Sequence, residues 1–188
     1  MKYLLLSLVV LIINFGFHTV SAAKEFKYPD FSIQIPETWR AIELDKDGGS
    51  RSWLFGKQAT GEESGVSIAV HILELSDPKF NSETDLIMNK DRWLNKNIHT
   101  MGKSKQVLNT SIIYDEIIDG EIYRAINFRS LFNVQNHPDL KLKIFGRVYL
   151  TILDSKVITI NFQASESHEN EIRPELEKIV ETIRLIRK

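Results

Sequence analysis

The stretch Lys141–Ala164 reads KLKIFGRVYLTILDSKVITINFQA. Leu142, Ile144, Gly146, Val148, Leu150 and Ile152 recur at every second position, which in an extended chain sets them on one face. Asp154-Ser155 is a turn, since short polar side chains suit the backbone of a tight reversal. Val157 to Ala164 then returns as the hairpin partner. Upstream, Tyr123 to Val134 is another long strand. Its residues Tyr123, Ala125, Asn127, Arg129 and Leu131 oppose Arg124, Ile126, Phe128, Ser130 and Phe132. Asp119-Gly120 before it marks a hairpin, because glycine accepts the positive φ such turns need. Gln106 to Ile113 and Asp115 to Ile118 read as further strands. Short turns between consecutive strands make the sheet antiparallel.

Val66 to Leu75 sets Val66, Ile68, Val70 and Ile72 against Ser67, Ala69, His71, Leu73 and Leu75. Both sets become apolar toward the end, the pattern of a strand covered on both faces. Two amphipathic helices supply that cover. Ser82 is the cap of the first, over residues 83–101. Its stripe is Leu86, Ile87, Trp93, Leu94, Ile98 and Met101, and Gly102 stops it. In the second, Ile172, Leu176, Ile179, Val180, Ile183 and Ile186 form a stripe over 172–186. Pro174 sets its start near Arg173 rather than His168, because proline is tolerated in a first helical turn. The expected fold class is α+β: an antiparallel sheet flanked by helices on both faces, an α/β/α sandwich.

At the N-terminal end, Phe31-Ser32-Ile33-Gln34-Ile35 alternates as a strand and Pro36-Glu37-Thr38 ends it. Trp39 to Leu44 returns, Asp45 to Gly49 is a turn, and Ser52 to Gly56 is a short strand carrying Trp53 and Phe55. The segment Tyr28-x-x-Phe31-Ser32-Ile33-x-Ile35-Pro36-x-x-Trp39 and the closing hairpin-plus-helix resemble the PsbP/Mog1-like superfamily. Within it, they resemble bacterial exported domains of unknown function. The resemblance extends over residues 26–186. It implies an antiparallel sheet between helices and does not imply an enzyme. Members of the wider family act in photosystem II or bind a small nuclear GTPase. Neither role maps onto residues here, since Phe31, Ile33, Ile35, Pro36 and Trp39 are structural in character.

The chain begins with a leader. Met1-Lys2-Tyr3 is weakly basic, Leu4 to Phe17 is nearly all apolar, and Val20-Ser21-Ala22 offers small residues before a cut. This is a signal peptide over 1–22, with cleavage after Ala22 or Ala23. The apolar run is short of the ~20 residues a membrane span needs. Removing 22 residues from 188 leaves 166, enough for one domain with a real core, at 23–188. The expected location is periplasmic or secreted, soluble after processing, with no integral membrane segment. Apolar residues make up 43% and charged residues 26%, which excludes a disordered or low-complexity chain. A net charge of -1 argues against nucleic acid as a partner. With no cysteine, disulfides, thiolate metal sites and cysteine nucleophiles are excluded, as is a lipid on an N-terminal cysteine.

Motifs that carry chemistry are scarce. There is no Walker loop, dinucleotide fingerprint or histidine–glutamate metalloprotease pattern. Ser64, in Glu62-Glu63-Ser64-Gly65, lacks the preceding glycine of a nucleophile elbow. His71, His99, His137 and His168 show no metal-ligand spacing, and His71 and Glu74 fall on opposite strand faces. Asp115, Glu116, Asp119 and Glu121 crowd one hairpin, but not at calcium-loop spacing. Neither a metal nor a cofactor is expected.

The candidate interaction surface is Arg51, Trp53, Lys141, Lys143 and Arg147. Lys141, Lys143 and Arg147 share one strand face, a basic patch for an anionic partner or a solvated face with cross-strand pairing. Trp53, with Arg51 beside it, lines a groove between the N-terminal hairpin and the sheet, or packs in the core. The function expected is an exported, non-catalytic binding or protein-interaction domain, whose partner is an envelope or extracellular protein. The competing expectation is a small extracytoplasmic hydrolase or ligand-binding protein with a site assembled in space.

Overall fold

The computed structural model describes residues 22–47, 50–57, 65–74, 90–96, 105–133, 139 and 141–187. The first helix expected from the sequence is represented by residues 90–96, here α1. Leu86, Ile87, Ile98 and Met101 lie outside the described residues, as do residues 1–21 of the expected signal peptide. No helix among the described residues is long and apolar enough to cross a membrane.

Eight strands form the main sheet: β3 (Arg40–Asp47), β4 (Ser50–Lys57), β5 (Val66–Glu74), β6 (Lys105–Thr110), β7 (Tyr114–Ile118), β8 (Glu121–Asn133), β9 (Lys141–Leu153) and β10 (Lys156–Ser165). Their spatial order is β3-β4-β5-β10-β9-β8-β6, with β7 also paired to β8. Every described pairing in it is antiparallel. A second sheet joins the two ends of the chain: β1 (Ala23–Lys27), β2 (Phe31–Pro36) and β11 (Arg184–Leu185), in the order β1-β2-β11. A 3-10 turn at Glu166–His168 leads into α2 (Glu169–Glu181).

Both faces of the main sheet are used, as the doubly apolar strands require. On one face, Trp53, Phe55, Ile68, Val70, Phe145, Tyr149, Ile160 and Phe162 pack beneath β2 and α2, which contribute Phe31, Ile33, Ile35, Leu176, Ile179 and Val180. On the other, Leu94 of α1 is fully buried among Ile126, Phe128, Val148, Leu150 and Val157. The fold is therefore α+β, an antiparallel sheet flanked by helices, as expected.

Several boundaries differ from the sequence reading. The second helix starts at Glu169, so Pro174 lies inside it rather than in its first turn. It ends at Glu181, and Ile183 and Ile186 flank the two-residue strand that follows, Arg184–Leu185. The chain leaves the helix because Arg184 and Leu185 pair with Ser32 and Phe31, burying Ile183 beneath the small sheet. Trp39 sits in the turn before β3 rather than in the strand, yet is buried. The strand at 106–113 ends at Thr110, and β7 begins at Tyr114.

The Asp119-Gly120 hairpin turn has positive φ at both positions, 52° and 79°. Asp119 also turns inward: its Oδ2 accepts a hydrogen bond from the Leu185 backbone N–H at 2.8 Å. One short turn thus reverses the chain and holds the terminal strand.

Candidate functional site

Alternation assigns every strand residue to one face, and the pairing aligns four of them in a row. Gly56 pairs with Ser67, Ser67 with Gln163, and Gln163 with Gly146. This row crosses β4, β5, β10 and β9 on the α1 face, next to the part that α1 covers. Gly56, Ser67 and Gly146 leave it short of side-chain bulk on β4, β5 and β9, and Gln163 is its one long side chain. At Gly56 a Cβ would meet the Val66 carbonyl oxygen at 2.4 Å, so the strand there stays bare. Larger residues stand on either side. Ile42 of β3 and Leu54 of β4 form one bank, and Phe132, Leu142 and Ile144 of β8 and β9 form the other. The result is an open, largely apolar groove of about 570 Å³. That volume lies within the range of small-molecule sites. From β3 to β9 is four strand spacings, so the groove is roughly 19 Å wide at ~4.8 Å per step.

Two features make the groove more than a gap in the surface. Ile42 and Leu142 on its banks are 51% and 42% exposed, large apolar side chains left in water. Arg40 and Lys57 stand at its margin. Arg51, Arg124, Arg129 and Arg147 of the same sheet all have carboxylate partners. Arg40 has none among the described residues.

The five residues singled out from the sequence are not brought together. Trp53 is 1% exposed and packs against Tyr28 and Phe31, with ring centroids 5.1 and 4.9 Å away. It is core and lines no groove. Arg51 turns toward Asp30, its Nη2 2.6 Å from Oδ2, and toward Glu74 at 3.6 Å. Lys141 and Lys143 are exposed at the start of β9. Arg147 shares their strand face but is sunk beside α2. Its guanidinium lies 5.6 Å from the Tyr149 and Phe162 ring centroids and pairs with Glu116 at 3.2 Å and Glu177 at 2.7 Å. Phe145 and Tyr149 on that face are fully buried, which explains why the face does not stay solvated. The groove, which the sequence reading did not single out, takes its banks from the opposite, apolar series of β9.

The acidic hairpin is likewise matched with cations. Asp115 pairs with Arg124, Glu116 with Arg147, Asp119 with Arg184, and Glu121 with Arg187. Among the described residues no cluster of His, Asp or Glu is arranged to hold a metal ion. A second cavity, about 330 Å³, is lined by Asn109, Thr110, Ser111, Asn127, Phe128, Arg129 and Arg173. Its arginines are already paired with Glu166 and Glu169.

One pair has the form of a nucleophile and its base. Ser52 Oγ lies 2.6 Å from His71 Nδ1 on adjacent strands, on the groove's face of the sheet. Burial lowers the His71 pKa below 6.5, leaving the ring neutral at pH 7. No carboxylate contacts the ring's other nitrogen among the described residues, so the triad form is incomplete.

No family model matches the chain, and no curated protein matches it. Solved structures do match. The cyanobacterial PsbP (CyanoP) of Synechocystis is 17% identical, with a TM-score of 0.55, over 91% of this chain and 96% of that one. LpqN, involved in cell envelope biogenesis of Mycobacterium tuberculosis, is 8% identical, with a TM-score of 0.49, over 88% and 91%. The Ran-binding protein Mog1p of Saccharomyces cerevisiae is 12% identical, with a TM-score of 0.42, over 88% and 96%. At such identities the likeness concerns the path of the chain alone, and by that path this protein has the PsbP/Mog1-like fold.

Proposed function

We propose that this chain is an exported, non-catalytic binding domain that engages a component of the cell envelope or extracellular space through the groove on its sheet. The observation that carries the reading is a concave apolar surface with an arginine at its margin, Arg40, that has no carboxylate partner among the described residues. The other arginines of the sheet, Arg51, Arg124, Arg129 and Arg147, each have a carboxylate partner. Ile42, Leu54, Leu142 and Ile144 border one concavity, and apolar side chains grouped in this way mark a binding surface where single exposed ones do not.

A photo-crosslinking side chain in place of Ile42 tests this in the source cell, with the same side chain in place of Ile112 as reference. Ile112 is 85% exposed and lines neither cavity. Discrete adducts from position 42 and none from position 112 are expected. Equal labelling from both positions overturns the groove as the binding site.

The competing hydrolase reading rests on the Ser52–His71 contact. A fluorophosphonate probe that labels the protein at Ser52, and not the Ser52→Ala variant, would establish it in place of the binding reading.

A further inference from the structure

We infer that the groove takes a single-chain amphipathic anion, an acyl chain bearing a carboxylate or similarly acidic head. The inference rests on the proposal that the groove is the binding site and adds its chemistry. Its lining separates into two zones. Ile42 and Leu54 on one bank, and Phe132, Leu142 and Ile144 on the other, offer apolar surface on both sides of the Ser67–Gln163 floor. Such surface rewards a hydrocarbon and gives little to a polar ligand. The cationic zone is confined to the β3–β4 end. Arg40 pairs with Gly56 in the strand register, and Lys57 is the next residue. Both line the groove.

The pattern of charge pairing selects the sign of the head group. Arg147 and Arg51 are as deeply set as arginines on this sheet become, and each has two carboxylates within reach. Arg40 is exposed, lies at the mouth of an apolar groove and has no acid beside it among the described residues. An anionic head there gains a charge-assisted hydrogen bond while its chain lies across the row Gly56–Ser67–Gln163. A cationic head meets like charge at the same place. A flat protein surface fits less well than a chain, because the floor is depressed along one row while both banks stand proud.

Fluorescence titration of the purified protein with cis-parinaric acid, a long-chain polyene carboxylate, is the test, run below its micelle concentration beside its neutral methyl ester. The acid should bind about fivefold tighter than the ester or better, the scale of one partly exposed ion pair. Arg40→Glu should abolish that preference and leave ester affinity in place. Ile42→Asp and Leu142→Asp should weaken both ligands at least about tenfold, while Ile112→Asp weakens neither.

Equal affinity for acid and ester, or no response to Arg40→Glu, overturns the head-group assignment and leaves the groove as a site for an uncharged chain. Failure of both ligands to bind, or binding insensitive to Ile42→Asp and Leu142→Asp, overturns the acyl-chain inference. Crosslinking from position 42 then decides separately whether the groove binds anything else. Each variant changes an exposed side chain, and an unchanged melting temperature shows that a lost affinity is not lost folding.

Discussion

Asp30 is the most buried carboxylate described, 3% exposed at its side chain, in the turn between β1 and β2. Its Oδ1 accepts a hydrogen bond from Lys156 Nζ at 2.9 Å. Its Oδ2 is 2.6 Å from Arg51 Nη2, a close charge contact without hydrogen-bond alignment. Its backbone oxygen accepts from the Ile186 N–H at 2.8 Å. One residue therefore joins the small sheet to β4, β10 and the C-terminal strand. Asp30→Ala would leave Arg51 and Lys156, only 19% and 18% exposed, with Glu74 as the one remaining counter-charge among the described residues. Breaking a buried pair by removing one partner costs about 3–5 kcal/mol. Here both cations keep some contact with water, which places the cost near the lower figure, about 3 kcal/mol. For a chain of this size that lowers the melting temperature by roughly 6–12 °C.

Differential scanning calorimetry on the wild type and Asp30→Ala measures the shift. The triple variant Asp30→Ala, Arg51→Met, Lys156→Met should recover most of the loss, because replacing all the charges with apolar groups removes the stranded cations. Ligand binding at the groove should not change in either variant, since none of the three residues lines it. A shift under about 2 °C for Asp30→Ala, or a triple variant less stable than the single one, would refute this account of the cluster.

Two further predictions concern the groove's face of the sheet. A Cβ at Gly146 would lie 2.4 Å from the Phe162 carbonyl oxygen and 2.5 Å from the Phe128 ring, and the backbone oxygen cannot yield. Gly146→Ala should cost at least about 1–3 kcal/mol, read as a lower urea midpoint, and a neutral result would mean that β9 and β10 separate more easily than their pairing implies. His71 has a pKa lowered by burial. As pH falls through about 6.5 the unfolded chain takes up a proton that the folded chain refuses, so stability declines until the depressed folded pKa is reached. Urea midpoints at about pH 7.5 and about pH 5 should differ more for the wild type than for His71→Gln, and equal differences would remove His71 as the cause.

The strands and their faces were legible because alternation is a local property. Residues 141–153 and 121–133 betray their pleat without any partner. Strands β1 and β11 were not legible. Ala23–Lys27 is short and almost wholly exposed, and Arg184–Leu185 is two residues long. Neither carries a pattern, and each exists because β2 offers it hydrogen bonds. The apolar stripe on α2 could not reveal where the helix stops, since Ile183 is buried equally well by helical or extended backbone. The decision comes from Ser32 and Phe31, about 150 positions away in the chain.

The sites divide the same way. From the sequence it follows that there is no cysteine chemistry and no phosphate loop, and that the core is built on an antiparallel sheet between helices. Those conclusions depend on residue type and spacing along the chain. Whether Arg147 is a surface cation or the centre of a buried ion network depends on Glu116, Glu177 and two aromatic rings arriving from other elements. The groove is further still from sequence. Gly56, Ser67, Gln163 and Gly146 are unremarkable singly, and only the register of three strand pairings sets them side by side. Each strand carries its own alternation, but which small residue lies opposite which is settled by long-range pairing and the packing of two faces at once.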